Sequence, residues 1–210
     1  MDIIKALEWR YATKRMTGES IPHDILDAII KAAHLAPSGI GLQPYEIFII
    51  SDKLWKEKLL PITMNQPQIV EASHVLVFAA WDNYTPERID KVFDHLNLIR
   101  NADTTISGRQ RNFAKQFFGK MSKEENFHHA AKQANIALGL ALATAALNKI
   151  DASPMEGFDP VMLDEVLDLR EKGLRSSMLL ALGYRDETND WNLPLKKVRK
   201  PLDEFVKKVN

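Results

Sequence analysis

The chain has 210 residues, 45% of them hydrophobic and 27% charged, which suits a single domain, residues 1–210, that buries roughly 70% of its unfolded surface. Lys+Arg and Asp+Glu balance at 28 each, which excludes a nucleic-acid or membrane partner read through bulk charge and makes any electrostatic recognition local. The absence of cysteine removes disulfides, thiolate nucleophiles and cysteine metal sites and matches a reducing cytoplasm; residues 1–5 also lack the basic-then-apolar order of a secretory leader.

Ile3, Ile4, Ala6, Leu7 and Tyr11 follow a helical period behind Asp2, an acid at N-cap spacing. If that helix continues, Arg10 and Lys14 share one face and reach one anionic or electron-rich ligand; taken alone, the pair reads first as a solvated basic edge. After a loop at 16–20, Pro22 stands in the first turn of a helix whose core face carries Ile25, Leu26, Ile29, Ile30 and Ala33. That helix ends at Pro37.

Pro37-Ser38-Gly39-Ile40-Gly41-Leu42-Gln43-Pro44-Tyr45 then joins helix to strand. Its prolines fix φ and remove donors, while its glycines accept positive φ, so the loop is stiff and held close to something. On composition alone it is an ordinary connection. Residues 45–50 and 75–81 are apolar runs rich in β-formers, with a helix at 53–60 and a loop at 61–67 between them. Helical patterns follow at 86–100, 108–121 and 124–148. The last has a nearly continuous apolar surface over 130–150, but Lys132 and Lys149 bracket fewer than eighteen consecutive apolar residues, so it reads as a central helix buried all round and not as a membrane span. Residues 154–158 read as a turn, Asp159-Pro160 as the N-cap and N1 of a helix to Leu169, and 176–182 as a third strand. A basic run, 196–200, precedes a short amphipathic segment. Few strands separated by helices make an α+β layered domain.

Several chemistries drop out. Neither Gly-x-Gly-x-x-Gly nor Gly-x-x-x-x-Gly-Lys-[Ser/Thr] occurs, His128 and His129 are adjacent and point about 100° apart on a helix, and no Gly-x-Ser-x-Gly elbow surrounds Ser38. No metal site is expected. What remains is a set of cations near both ends and two glycine-bearing loops.

Arg10-x-x-x-Lys14, Pro37-Ser38-x-x-Gly41-x-Gln43-Pro44, Pro154-x-Glu156-Gly157-Phe158 and Lys197-x-Arg199-x-Pro201, in that order, resemble the nitroreductase family of FMN-dependent NAD(P)H oxidoreductases. Asn65, the 71–75 entry to the second strand and Phe117-Phe118 are similar to that family as well. The resemblance implies a three-layer α-β-α sandwich with a central, mostly antiparallel sheet, in a homodimer that exchanges C-terminal extensions and holds two FMN sites between its subunits. It implies a phosphate clamp of Arg10, Lys197 and Arg199, fitting for guanidinium and ammonium groups around a dianion. Tyr11 and Ala12 fall within the same cofactor-binding segment, although Ala12 lacks the serine hydroxyl of many members. Lys14 matches the lysine by the flavin pyrimidine, where a cation stabilises charge developing on reduction. Asn65 matches a polar contact to that ring, and Gln68 stands where well-studied members carry lysine, removing one charge.

Pro37, Ser38, Gly39 and Gly41 match the loop that approaches FMN from the other subunit, Gly41 replacing a frequent asparagine. Pro154, Met155, Glu156 and Gly157 match the turn whose backbone N–H groups face flavin N5 and O4. Phe118 matches an aromatic over the open flavin face, and reads equally as a core residue. The implied catalytic set is Lys14, Glu156 and Phe118. The implied activity is ping-pong reduction of nitroaromatics, quinones or related small electrophiles by NADH or NADPH. Two other readings stand beside it: a flavin enzyme of the same fold with other chemistry (enone reduction, dehalogenation or flavin fragmentation), or a non-catalytic flavin carrier.

Overall fold

The computed structural model describes residues 2–101 and 104–209. Strands β1 (Tyr45–Ile50), β2 (His74–Trp81), β3 (Asp151–Met155) and β4 (Leu174–Gly183) form an antiparallel sheet in the order β1-β2-β4-β3. The two central strands alternate between two cores. Leu76 and Phe78 of β2, with Met178, Leu180 and Leu182 of β4, pack against helices α2 (His23–His34) and α7 (Lys123–Leu147). Val75 and Val77, with Leu179 and Ala181, face the opposite core under α3 (Lys53–Ile62), α4 (Gln68–Glu71) and α8 (Pro160–Val166). The result is the three-layer α-β-α sandwich, and each fully buried side chain of Leu or Phe size contributes roughly 1.5–3 kcal/mol.

The other described helices are α1 (Ile3–Trp9), α5 (Pro86–Arg100), α6 (Thr104–Phe118) and α9 (Leu202–Phe205). Helix α7 begins with a capping box, Ser122 and Glu125 each bonding the other's backbone N–H. Tyr84, Phe93 and Phe118 form a third apolar cluster joining α5 and α6 to the start of α7.

Several expectations from local sequence are corrected. Helix α1 ends at Trp9, where Arg10 turns extended at φ −68°, ψ 144°, so Arg10 and Lys14 do not share a helical face. The loop expected from Pro61 is helical through Ile62, and Pro154-Met155 belongs to strand β3 instead of a turn. Strand β3 lies at the sheet edge, where a proline without N–H is tolerated. Among the described residues the sheet therefore has four strands, not three. Helix α6 begins at Thr104, four residues before the predicted start. Helix α7 passes a test of length and composition for crossing a membrane, yet it packs on α1, α2 and all four strands. It is not buried all round: Ile136, Leu140 and Leu147 are 42%, 38% and 37% exposed along one stripe.

Candidate functional site

Residues 10–16 leave α1 without regular structure and are fastened to the end of the fold by buried carboxylates. Thr13 Oγ1 donates to Asp151 at 3.2 Å, while the Tyr11 hydroxyl and the Lys14 N–H donate to Asp190 at 2.8 and 3.1 Å. Asp151 and Asp190 are 3% and 4% exposed, so their charge must be met by hydrogen bonds and cations. Arg185 meets Asp151 at 2.6 Å and lies over the rings of Trp9 and Tyr11. Burial, followed by the bond to Asp190, raises the Tyr11 phenol above its usual range. Ser153 Oγ donates to the Thr13 carbonyl at 2.5 Å, Asn192 Nδ2 to the Ala12 carbonyl at 3.0 Å, and Arg15 pairs with Glu71 at 2.7 Å.

This fastening lays Arg10 and Thr13 along β3. The Arg10 guanidinium reaches the Ala152 carbonyl at 3.5 Å, while its buried Nε has no acceptor among the described residues. Burial and then the neighbouring Arg199 lower its pKa, with Asp151 opposing. Lys197 is lowered by burial and then by Arg10 and Arg199. The three cations thus share one corner, and among the described residues none of them is in an ion pair. Lys197 also closes the C-terminal end of α1, its ammonium donating to the carbonyls of Leu7, Glu8 and Arg10. Among the described residues, the Arg199 guanidinium bonds only the adjacent Val198 carbonyl, at 2.7 Å. The Lys14 ammonium has no partner among the described residues.

The strand that carries Arg10's acceptor continues into Pro154, Met155, Glu156 and Gly157. Neither the Glu156 nor the Gly157 N–H donates to another described backbone or side-chain group. The turn is held from the side: Asp159 N–H donates to the Ile62 carbonyl at 2.9 Å, and Gln66 Nε2 donates to the Gly157 carbonyl at 3.0 Å. Gln68, 1% exposed, donates to Gln66 Oε1 at 3.0 Å. Asn65 is exposed at φ 55° in a left-handed turn with Met64.

The 37–44 loop lies elsewhere. Gly39 N–H donates to Gln133 Oε1 at 2.8 Å, Ser38 Oγ accepts from Gln43 N–H at 2.9 Å, and Ile40, Gly41 and Gln43 all take positive φ. A Cβ on Gly39 would meet His129 at 3.5 Å, whereas one on Gly41 meets nothing within 4 Å. Glu156 instead opens on a cleft of about 410 Å³ lined by His128, Ala131 and Asn135 of α7. At about 100° per residue, the positions 129 and 133 and the positions 128, 131 and 135 lie on nearly opposite faces of that helix. Within one chain, the loop and the Glu156-Gly157 turn are therefore on opposite sides of α7.

Phe118 does not line an open surface. It is 2% exposed and stacked on Tyr84 with centroids 3.9 Å apart, while its neighbours Phe113 and Phe117 are 57% and 46% exposed. The core reading of Phe118 is the correct one, because its backbone carbonyl and ring both face the buried start of α7.

The model of the Nitroreductase family matches residues 7–184. The chain belongs to the nitroreductase family. The Major NAD(P)H-flavin oxidoreductase of Aliivibrio fischeri is 32% identical over 213 residues, covering 97% of each chain. The Oxygen-insensitive NAD(P)H nitroreductase of Salmonella typhimurium is 28% identical, covering 100% of both. A solved nitroreductase-fold structure from Exiguobacterium sibiricum, itself in complex with FMN, superposes with a TM-score of 0.83 at 17% identity, over 100% of this chain and 98% of that one.

In this nitroreductase-family chain, Arg10, Lys197 and Arg199 meet on a first surface, beside Tyr11, Ala12 and Lys14, whose hydroxyl, carbonyl and N–H are tied to Asp190 and Asn192; Gln68 is buried behind the Gly157 turn, and Pro37, Ser38, Gly39 and Gly41 stand on the other side of α7. Sequence reasoning missed Asp151, Arg185, Asp190 and Gln66, the groups that set the first surface in place. Only Gln66 had a local signal, sitting between Asn65 and Pro67 with Gln68 two residues on.

Proposed function

We propose that this chain is an NAD(P)H-dependent FMN oxidoreductase acting as a homodimer in the cytoplasm on nitroaromatics, quinones or related small electrophiles. The observation that carries the reading is the unbalanced corner of Arg10, Lys197 and Arg199, with a buried Arg10 Nε lacking an acceptor. Three neighbouring cations, two of which have pKa values lowered by burial and then by the charges beside them, suit a phosphate dianion. The free N–H groups of Glu156 and Gly157, at the far end of the same β3 surface, suit the acceptor atoms of an isoalloxazine.

FMN would supply the hydride acceptor and donor that protein side chains do not provide. Arg10 and Arg199 would hold its phosphate directly, while Lys197 adds positive potential and keeps α1 in register. Lys14, whose ammonium has no partner among the described residues, would stabilise negative charge developing on reduction, and Glu156 and Gly157 would donate from the backbone; the Glu156 carboxylate would have no part in this. NAD(P)H and the electrophile occupy one open site in turn, a ping-pong order, which parallel double-reciprocal lines would establish and intersecting lines would overturn.

Two features support the dimer. The 37–44 loop reaches a site at Glu156-Gly157 only from a second copy, since α7 stands between them in one chain. The stripe of Ile136, Leu140 and Leu147, beside the exposed Ile3, Ile4 and Leu7 of α1, leaves apolar surface for that copy to cover. Val198, Leu202, Phe205 and Val209 are 73–96% exposed and would pack on the partner as an exchanged extension. The purified protein is expected to be yellow, dimeric, and bleached by NAD(P)H without oxygen. A colourless protein that binds no added FMN sinks this reading.

A further inference from the structure

We propose that Gln66 and Gln68 form an amide relay that positions the Glu156-Gly157 turn and thereby sets the redox potential of the flavin; this rests on the FMN reading above. Gln66 Nε2 has two hydrogens and two acceptors, the Gly157 carbonyl at 3.0 Å and the Thr63 carbonyl at 3.2 Å. Its Oε1 takes a hydrogen from Gln68 Nε2 at 3.0 Å, and Gln68 Nε2 also lies 3.8 Å from the Met155 sulfur. The relay is thus directional: Gln68 donates to Gln66, and Gln66 donates to the turn. With Gln68 1% exposed, water does not replace a lost partner.

The backbone is shaped for this contact at both ends. Met64 and Asn65 take φ of 56° and 55°, doubling the chain back so that Gln66 faces Gly157. A Cβ on residue 157 would stand 2.9 Å from Gln66 Nε2, so glycine is what lets the amide approach. Met155 before the turn and Asp159 after it are tied to the same 62–68 segment. The peptide whose N–H groups are free is therefore held from behind by neutral amides. Gln66 is a positioning residue here, acting through Gly157 and not on the flavin itself.

The relay is chemically specific. Glutamate at 66 is nearly isosteric but, when ionised, has no hydrogen to give, and it would set a negative charge against the Gly157 carbonyl. Turn position and local potential would then change together, and affinity for the reduced, electron-rich cofactor would fall relative to the oxidised form. A purely structural glutamine would alter melting temperature without changing that ratio.

The test is spectroelectrochemical titration of the FMN-loaded dimer for the unmodified protein, Gln66→Glu, Gln66→Leu and Gln68→Leu, with thermal melting alongside. Gln66→Glu is expected to weaken binding of reduced relative to oxidised FMN about tenfold, equal to about 30 mV lower for a two-electron couple. Gln68→Leu, which leaves Gln66 intact but frees its amide, is expected to shift the potential in the same direction by less, and it carries the measurement should a residue-66 variant fail to fold. Yellow, folded variants that all keep the unmodified potential overturn the relay while leaving flavin binding in place. Failure of the unmodified protein to bind FMN would instead remove the functional reading beneath it.

Discussion

Residues 10–16 and residues 195–209 bring cations to the same corner, but they are held there by different means. The first segment is bonded to Asp151, Asp190 and Glu71 from inside the fold, and Thr13 is fully buried. The second is exposed throughout, and among the described residues its long-range hydrogen bonds come from Lys197 alone. Arg10 is thus positioned by folding, whereas Arg199 stands on an exposed tail with few ties to the rest of the chain. Groups preorganised in this way lose little entropy on binding, whereas an exposed tail must give up its own.

The largest effect should come from breaking the inner anchor. Asp151→Ala leaves the half-buried Arg185 without its carboxylate and frees Thr13, and it is expected to cost about 3 kcal/mol of stability by denaturant titration. Replacing Asp151 and Arg185 together with apolar residues should cost less than Asp151→Ala alone. Equal losses would mean that the ion pair is not the anchor.

A smaller loss, confined to the cofactor, is expected from the cations. Arg10→Ala and Arg199→Ala should each weaken FMN binding by about 1.5–3 kcal/mol, roughly 10- to 150-fold in Kd, with little change in melting. Lys197→Ala should weaken binding and also destabilise the end of α1, because it gives up three carbonyls. Lys196→Ala and Lys200→Ala should bind FMN normally in fluorescence quenching. Controls that weaken binding as much as Arg199→Ala would reduce the tail to diffuse charge.

The mildest test concerns the far side of α7. His129 bonds Tyr84 at 2.8 Å, and burial, then Lys132, lower its pKa below the ordinary 6.5. His74 is lowered by burial, then by Lys56 and His23. For both, the unfolded chain binds the proton more readily, so their contribution to stability is complete above 6.5 and is lost as pH falls below it. His129→Gln should make melting temperature less steep in pH between about 6.5 and 5, with His74 still contributing. An unchanged slope would assign the whole effect to other groups.

The layered α+β class, strands β1, β2 and β4, and most helices were legible because each is a local pattern: apolar period, N-cap, proline or glycine stop. The family was legible from a resemblance carried by cation and glycine positions spread along the chain. What sequence could not place is what depends on distant partners. Helix propensity carried α1 past Arg10, but Asp151 and Asp190, about 140 and 180 residues away, hold residues 11–14 out of the helix. Pro154 signals a turn until strand β4 pairs with it on one side and leaves its other side at the sheet edge. Phe117 and Phe118 are adjacent and chemically identical, and only the packing of Tyr84 and α7 decided which ring is buried. Local interactions act over a turn of helix and can be read in order; burial and hydrogen bonding join residues that only the closed fold brings within reach.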